Sequence, residues 1–214
     1  MRRKLIQKIL AVATVFISLN SKAQTDDTIQ PVTKQVLSVE VDPIVPLVLR
    51  GVGGHLMWQP KKSKHFVYGF AIVALGKMPD FMINMNNKNK GKGWKYKINQ
   101  GFGIEGEYYY KRVGKGLFTG LQLFTQEINL TNSNVPSVTE HRTNVGMAVI
   151  TTGYRWRLFR NKHFYLKPWA GVGYTGIIKG AFSSKLIPNT RVGSYEYDIQ
   201  KFTPFATMHI GYKF

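Results

Sequence analysis

The chain has 214 residues, with 30 Lys and Arg against 11 Asp and Glu, a formal net charge of +19. That length allows one domain of ordinary size. There is no cysteine, which excludes disulfides, Cys-ligated metals, thiol nucleophiles and a lipid on an amino-terminal Cys, without identifying the redox compartment.

Residues 1–23 read as a secretory signal peptide. Arg2, Arg3, Lys4 and Lys8 form the basic start, residues 9–19 the apolar centre, and Ser21 and Ala23 the small residues before cleavage at Gln24. The apolar centre is too short for an anchor helix. The residues flanking Arg2-Arg3 do not support twin-arginine export. Removing Arg2, Arg3, Lys4, Lys8 and Lys22 lowers the charge to about +14, still strongly basic. Such a balance favours polyanionic partners, either nucleic acid or an anionic membrane surface. Beyond the leader no run of about 18 apolar residues occurs, so no spanning helix is predicted.

Residues 24–33 are polar and read as a loose arm. Residues 34–41 have strand character, Asp42-Pro43 and Pro46 force a break, and 46–58 is the second predicted strand. A compact connection at 60–64 leads to a strand over 65–75, where Phe66, Tyr68, Phe70 and Ile72 alternate with Val67, Gly69 and Ala71. A long polar stretch, 76–97, precedes a strand over 98–110. A short turn at 111–115 and a strand over 116–126 come next, then a loop at 127–142 rich in Asn, Ser and Pro. The longest predicted strand is 143–159, followed by a short turn at 160–162, a strand over 163–176 and a third long loop at 177–200. No segment of helical period competes.

The closing stretch alternates. Phe202, Pro204, Ala206, Met208, Ile210, Tyr212 and Phe214 share one apolar face, and mostly polar or small residues fill the other. That ending resembles the assembly signal of Gram-negative outer-membrane β-barrels, carried here by Met208, Ile210, Tyr212 and Phe214. With the leader and the alternating short and long connections, the chain resembles small barrels of the OmpX-like and OmpW-like kind. Departures are the Pro-rich first strand and the high basic charge. The resemblance implies an all-β, transmembrane, antiparallel up-and-down barrel of about eight strands over residues 34–214, with short periplasmic turns and long extracellular loops. The mean hydropathy of −0.18 agrees, because each barrel strand shows only half its residues to lipid.

Phasing the strands sorts the charges. Glu105 and Glu107, Arg155 and Arg157, Lys167, His209 and Lys213 are expected inside, with His55. Ile104, Tyr108, Ile150, Trp156, Val172 and Tyr174 are expected to face lipid. Eight strands leave an interior only wide enough for side chains to fill. Paired charges there would hold the barrel closed, and the competing readings are an ion path or a catalytic cluster. Gly101, Gly103 and Gly106 have dinucleotide-loop spacing, but a strand and no helix follows, so nucleotide binding is not expected.

The first long loop is basic. Lys77, Lys88, Lys90, Lys92, Lys95 and Lys97 face only Asp80, with Asn84, Asn86, Asn87 and Asn89 and the aromatics Phe81, Trp94 and Tyr96. Outside the cell these lysines would meet lipopolysaccharide phosphates, with Arg50 and Lys179 at the same rim. A merely solvated loop is the plainer reading. Lys with aromatics also suits nucleic acid, a partner that export argues against.

Lipid A deacylases resemble a His-x-Ser arrangement. None of His55, His65, His141, His163 and His209 is followed two places on by Ser. A triad from separate strands remains open. Omptin-type proteases resemble larger barrels with clustered acids, which this chain lacks. Glu140-His141 is an isolated pair rather than a metal set. The expectation is a monomeric, non-enzymatic outer-membrane barrel without cofactor. Its partners would be membrane lipid, lipopolysaccharide and the barrel-assembly machinery. The alternatives are a narrow solute channel and a lipid A-modifying enzyme. A lipocalin-type soluble barrel would need the opposite phasing, apolar inside and wet outside.

Overall fold

The two-residue alternation of this sequence closes on itself. A computed structural model describes residues 34–135, 141–158, 163–177 and 191–214. The expected leader, the arm and Lys179 lie outside those residues. The barrel strands are β1 (Val36–Val41), β2 (Val52–Gln59), β3 (Phe66–Lys77), β4 (Trp94–Tyr109), β5 (Gly116–Asn132), β6 (His141–Arg157), β7 (Phe164–Ile177) and, after a two-stranded hairpin of β8 (Arg191–Val192) and β9 (Tyr195–Glu196), β10 (Phe202–Lys213). Each barrel strand pairs antiparallel with its sequence neighbour, and β1 pairs with β10 to shut the cylinder, from Ser38 opposite Lys213 to Val41 opposite Ile210. Closure leaves no unpaired edge.

Three connections are short, at 60–65, 110–115 and 158–163, and share one end with the start of β1 and the end of β10. The connections at 42–51, 78–93, 133–140 and 178–201 share the other.

Several predicted boundaries move. The second strand does not begin at Pro46. Val45–Leu49 forms a π-helical turn with Pro46 in its first turn, ended by Arg50 in the left-handed region at φ 53°. Proline has no N–H to give a sheet ladder, so the strand starts only at Val52. The basic loop is shorter than 76–97, because β3 runs to Lys77 and β4 starts at Trp94. Lys77, Lys95 and Lys97 are therefore strand residues. It also holds a four-residue helix, α1 (Asp80–Ile83). The second long loop shrinks likewise, with β5 ending at Asn132 and β6 beginning at His141. β5 and β6 are both 17 residues long, so the predicted longest strand has an equal.

One irregularity explains the misplaced end of the basic loop. The β4–β5 register shifts between Ile98 and Gln100, leaving Asn99 as a bulge. On β3 the matching residue, Leu75, has φ 59° and is exposed. Below this level Gly101, Glu105, Glu107 and Tyr109 of β4 are buried; above it Trp94, Tyr96 and Ile98 are. The inward set thus changes parity, which a strict two-residue reading cannot follow. Trp94, Tyr96 and Ile98 meet Ile83, Ile128, Leu130, Val145 and Val192 in an apolar cluster at the long-loop end.

The exterior is apolar lower down. Val39, Leu56, Phe70, Ile104, Leu121, Ile150, Val172 and Phe202, drawn from all eight barrel strands, are between 41% and 65% exposed.

Candidate functional site

The inward side chains of six strands meet in one polar network. Glu40 of β1, wholly buried, is its hub. It pairs with Lys167 of β7, accepts from the Tyr165 hydroxyl at 2.7 Å, and accepts from His209 Nδ1 of β10 at 2.8 Å. Lys167 Nζ also reaches Glu107 Oε1 of β4 at 2.6 Å, and Tyr109 donates to the other Glu107 oxygen at 2.9 Å. One layer across, Glu105 takes His55 Nδ1 of β2 at 2.6 Å and Gln122 Nε2 of β5 at 2.9 Å. The His55 and His209 rings lie 4.3 Å apart and join the two layers.

Two glycines make room for this. A Cβ on Gly69 would lie 2.8 Å from the Glu105 carboxylate, and one on Gly211 would lie 2.5 Å from the Tyr165 hydroxyl. Only a residue without a side chain lets those groups cross the lumen.

The His209 hydrogen bonds fix its chemistry. An indole N–H can only donate, and Trp169 Nε1 donates to His209 Nε2 at 3.0 Å. The proton of the ring therefore sits on Nδ1 and points at Glu40. The nitrogen that would serve as a general base toward a hydroxyl is already occupied. Among the described residues no group of three His, Asp or Glu has the arrangement of a metal site. The network is a set of satisfied buried charges, in which each carboxylate has at least two partners.

Of the residues singled out from sequence, His55, Glu105, Glu107, Lys167 and His209 come together here. Arg155 is also buried, with its guanidinium carbon 3.4 Å above the Tyr165 ring. Arg157 and Lys213 lie apart, at the short-turn mouth, where they line a small cavity with Arg155. Sequence reasoning missed Glu40, although Ser38, Glu40 and Asp42 alternate with Leu37, Val39 and Val41. The prolines that follow hid that phase. Met208, Ile210, Tyr212 and Phe214 share one outward face of the closing strand, Tyr212 packing edge-on to Phe214.

The six lysines of the basic stretch are all exposed, three in the loop and three, Lys77, Lys95 and Lys97, in the strands that flank it. Lys88, Lys90 and Lys92 lie in the loop. Asp198, from the last long connection, is clamped there by Asn86 Nδ2 at 2.9 Å, Asn89 Nδ2 to its carbonyl at 2.7 Å and Lys88 Nζ at 3.1 Å. The Asn86 and Lys88 hydrogen bonds hold the Asp198 carboxyl below its ordinary range. Beside it, Tyr197 packs edge-on to Trp94, and burial pushes its phenol up to about 12. The expectation that Asp80 alone opposes these lysines is corrected, because Asp198 takes Lys88 while Asp80 takes Lys95.

Lys77 and Lys97 belong to a second group. Lys77 of β3 is directly opposite Lys97 of β4, Lys97 opposite Asn129 of β5, and Asn129 opposite Arg142 of β6. These four form one cross-strand row on the long-loop side of the apolar belt, in which Lys77, Lys97 and Arg142 are exposed and Asn129, taking a hydrogen bond from Asn99, is buried. Gly101, Gly103 and Gly106 all lie within β4, without the helix a dinucleotide loop needs.

The chain is an all-β, eight-stranded, closed antiparallel up-and-down barrel, the architecture of small outer-membrane barrels. Among solved structures it is similar to the N-terminal β-barrel domain of Pseudomonas aeruginosa OprF, at 13% identity and a TM-score of 0.46 over 86% of this chain and 100% of that one. No protein-family model and no curated protein matches the chain.

Proposed function

We propose that the protein is a non-enzymatic outer-membrane barrel, exported by its leader, whose charged interior keeps it shut and whose basic rim contacts the phosphates of lipopolysaccharide. One observation carries the membrane part, the inversion of faces. Leucine, isoleucine, valine and aromatic side chains cover the outside, while Glu40, Glu105, Glu107, Arg155 and Lys167 are 5% exposed or less inside. A barrel in water would bury the first set and solvate the second. A bilayer solvates apolar side chains and penalises charge, so it favours this arrangement.

The rim row supports the lipid part. Lys77 and Lys97 are directly opposed, and like charges so placed repel unless an anion lies between them. Glu127, the nearest outward acid on β5, is engaged by Asn99 at 2.7 Å. Each cation near an anionic surface contributes about 1 kcal/mol.

Brominated lipids quench tryptophans that touch acyl chains. In single-Trp variants in such vesicles, Trp58, 43% exposed on the outer face, should be quenched strongly, and the buried Trp94 weakly. Equal quenching of both would overturn the membrane reading. Binding of lipid A by Lys77→Gln/Lys97→Gln/Arg142→Gln should fall at least tenfold against wild type. Dephosphorylated lipid A should bind both equally weakly, and unchanged lipid A binding by the variant would remove the rim from the proposal.

A further inference from the structure

We infer that the short-turn end of the barrel is a docking surface for anionic phospholipid headgroups, of the phosphatidylglycerol class, in the leaflet it faces. The connections divide by charge. The three short ones, 60–65, 110–115 and 158–163, hold no Asp or Glu, and the first two carry Lys61, Lys62, Lys64, Lys111 and Lys115. Each of the four long ones holds at least one acid, Asp42, Asp80, Glu140 or Asp198. Acid is thus absent from the connections of one end only.

Turns 60–65 and 110–115 form one surface. The Val113 N–H donates to the Lys64 carbonyl at 2.8 Å and ties the second turn to the first. Gln59 Nε2 holds the first by donating to the Ser63 carbonyl at 2.8 Å. Lys61, Lys62, Lys64 and Lys111 are exposed, and Lys115 is half-buried. Among the described residues no acidic side chain pairs with any of these five. Like charges gathered in this way repel one another until an anion joins them.

A second observation names the anion. Trp58, Phe66, Tyr68, Tyr108, Phe164 and Tyr212 are exposed at the same end. They pack in pairs, Trp58 with Tyr68 at 6.2 Å between ring centroids, Phe66 with Tyr108 at 5.2 Å and Phe164 with Tyr212 at 4.9 Å. Aromatic rings collect where the hydrocarbon of a bilayer meets its headgroups. Lys64 is two residues from Phe66 and Lys111 three from Tyr108, so at most about 11 Å of chain separates cation from ring. Lysine stems lie along apolar surface and keep the ammonium at headgroup level. A soluble polyanion would need no aromatic collar beside it, whereas clustered lysines next to a membrane span attract anionic lipid. The inference rests on the membrane reading of the exterior, not on the lipopolysaccharide-contacting rim at the other end.

The test is quenching of Trp58, three residues before Lys61, in the full chain with Trp58 as its one tryptophan. The chain is refolded into phosphatidylcholine vesicles that hold a minor fraction of brominated phosphatidylglycerol, or the same fraction of brominated phosphatidylcholine. Apparent affinity for phosphatidylglycerol should be higher by about threefold or more. It should fall towards parity in Lys61→Gln/Lys62→Gln/Lys64→Gln/Lys111→Gln/Lys115→Gln and stay unmoved in Lys77→Gln/Lys97→Gln. Spin-labelled lipids give the same comparison with all 4 tryptophans in place: the excess of immobilised phosphatidylglycerol should drop further in the first variant than in the second. Equal quenching by the two lipids without those substitutions would overturn the inference and leave the surface to a soluble polyanion. A preference that survives the five substitutions would overturn it too, since it would then arise elsewhere. Absence of quenching by either lipid would remove the membrane reading itself, and this inference with it.

Discussion

Lys167 is the cation on which the interior turns. It is 1% exposed and pairs with both Glu40 and Glu107. Removing one partner of a buried pair leaves an uncompensated charge and costs about 3–5 kcal/mol. Lys167→Met should lower the urea-unfolding stability in lipid by about that much. Adding Glu107→Gln should recover part of the loss, because one stranded carboxylate disappears. A Lys167→Met chain as stable as wild type would show that the network is incidental. At the opposite extreme of exposure is Asp198, whose carboxyl is held below its ordinary range by Asn86 and Lys88. A carboxyl so shifted supports the loop clamp above its unfolded pKa, and that support fades as pH falls through the lower folded value. Hydrogen-exchange protection in the 86–89 stretch, taken relative to the intrinsic rate at each pH, should therefore be high at neutral pH and fall in acid below the ordinary Asp range. Asp198→Asn should bring the lower protection to neutral pH and flatten the dependence; an unchanged profile would count against the clamp.

The elements show which parts of the sequence could be read and which could not. Glu105, Glu107, Lys167 and His209 were legible because the stretches that carry them, on β4 the part after Asn99, alternate without interruption and have apolar residues or glycine on the outward face. Glu40 was not, since β1 has only six residues and ends in a Pro-rich turn. Trp94 and Tyr96 looked like loop aromatics because Asn99 changes the parity of β4, so their inward phase disagrees with that of Glu105. That bulge has a consequence of its own. Deleting Asn99 would remove the one extra residue and leave Ile98 and Gln100 adjacent, opposite Ile128 and Glu127, so that Trp94, Tyr96, Ile98 and Glu105 share one inward phase by strict alternation. The refolding yield, read by the heat-dependent shift in gel mobility that folded barrels show, should therefore stay close to that of wild type, as it should for deletion of Lys90 in the loop. A collapse of yield in the Asn99 deletion alone would show that the bulge itself is needed to close the barrel.

At the scale of the whole molecule, two fillings occupy the lumen. The polar network takes the middle, and the apolar cluster around Trp94, Tyr96, Ile128 and Leu130 takes the long-loop end. On the proposed reading, these two fillings close the narrow lumen of eight strands to an aqueous path. The fold class followed from the sequence because alternation, turn spacing and the closing aromatic strand all agree, and such agreement is what specifies one structure. The contents of the lumen depend on which distant strands face each other across it, and register at that distance is not written in local alternation. The most direct measurement is solute and ion flux through the refolded full chain in liposomes, with Glu105→Gln beside it. The filled lumen implies wild-type flux no greater than that of empty liposomes, with Glu105→Gln less stable. Clear flux through folded wild type, altered in rate or selectivity by Glu105→Gln, would contradict the closed interior and make its charges a transport path.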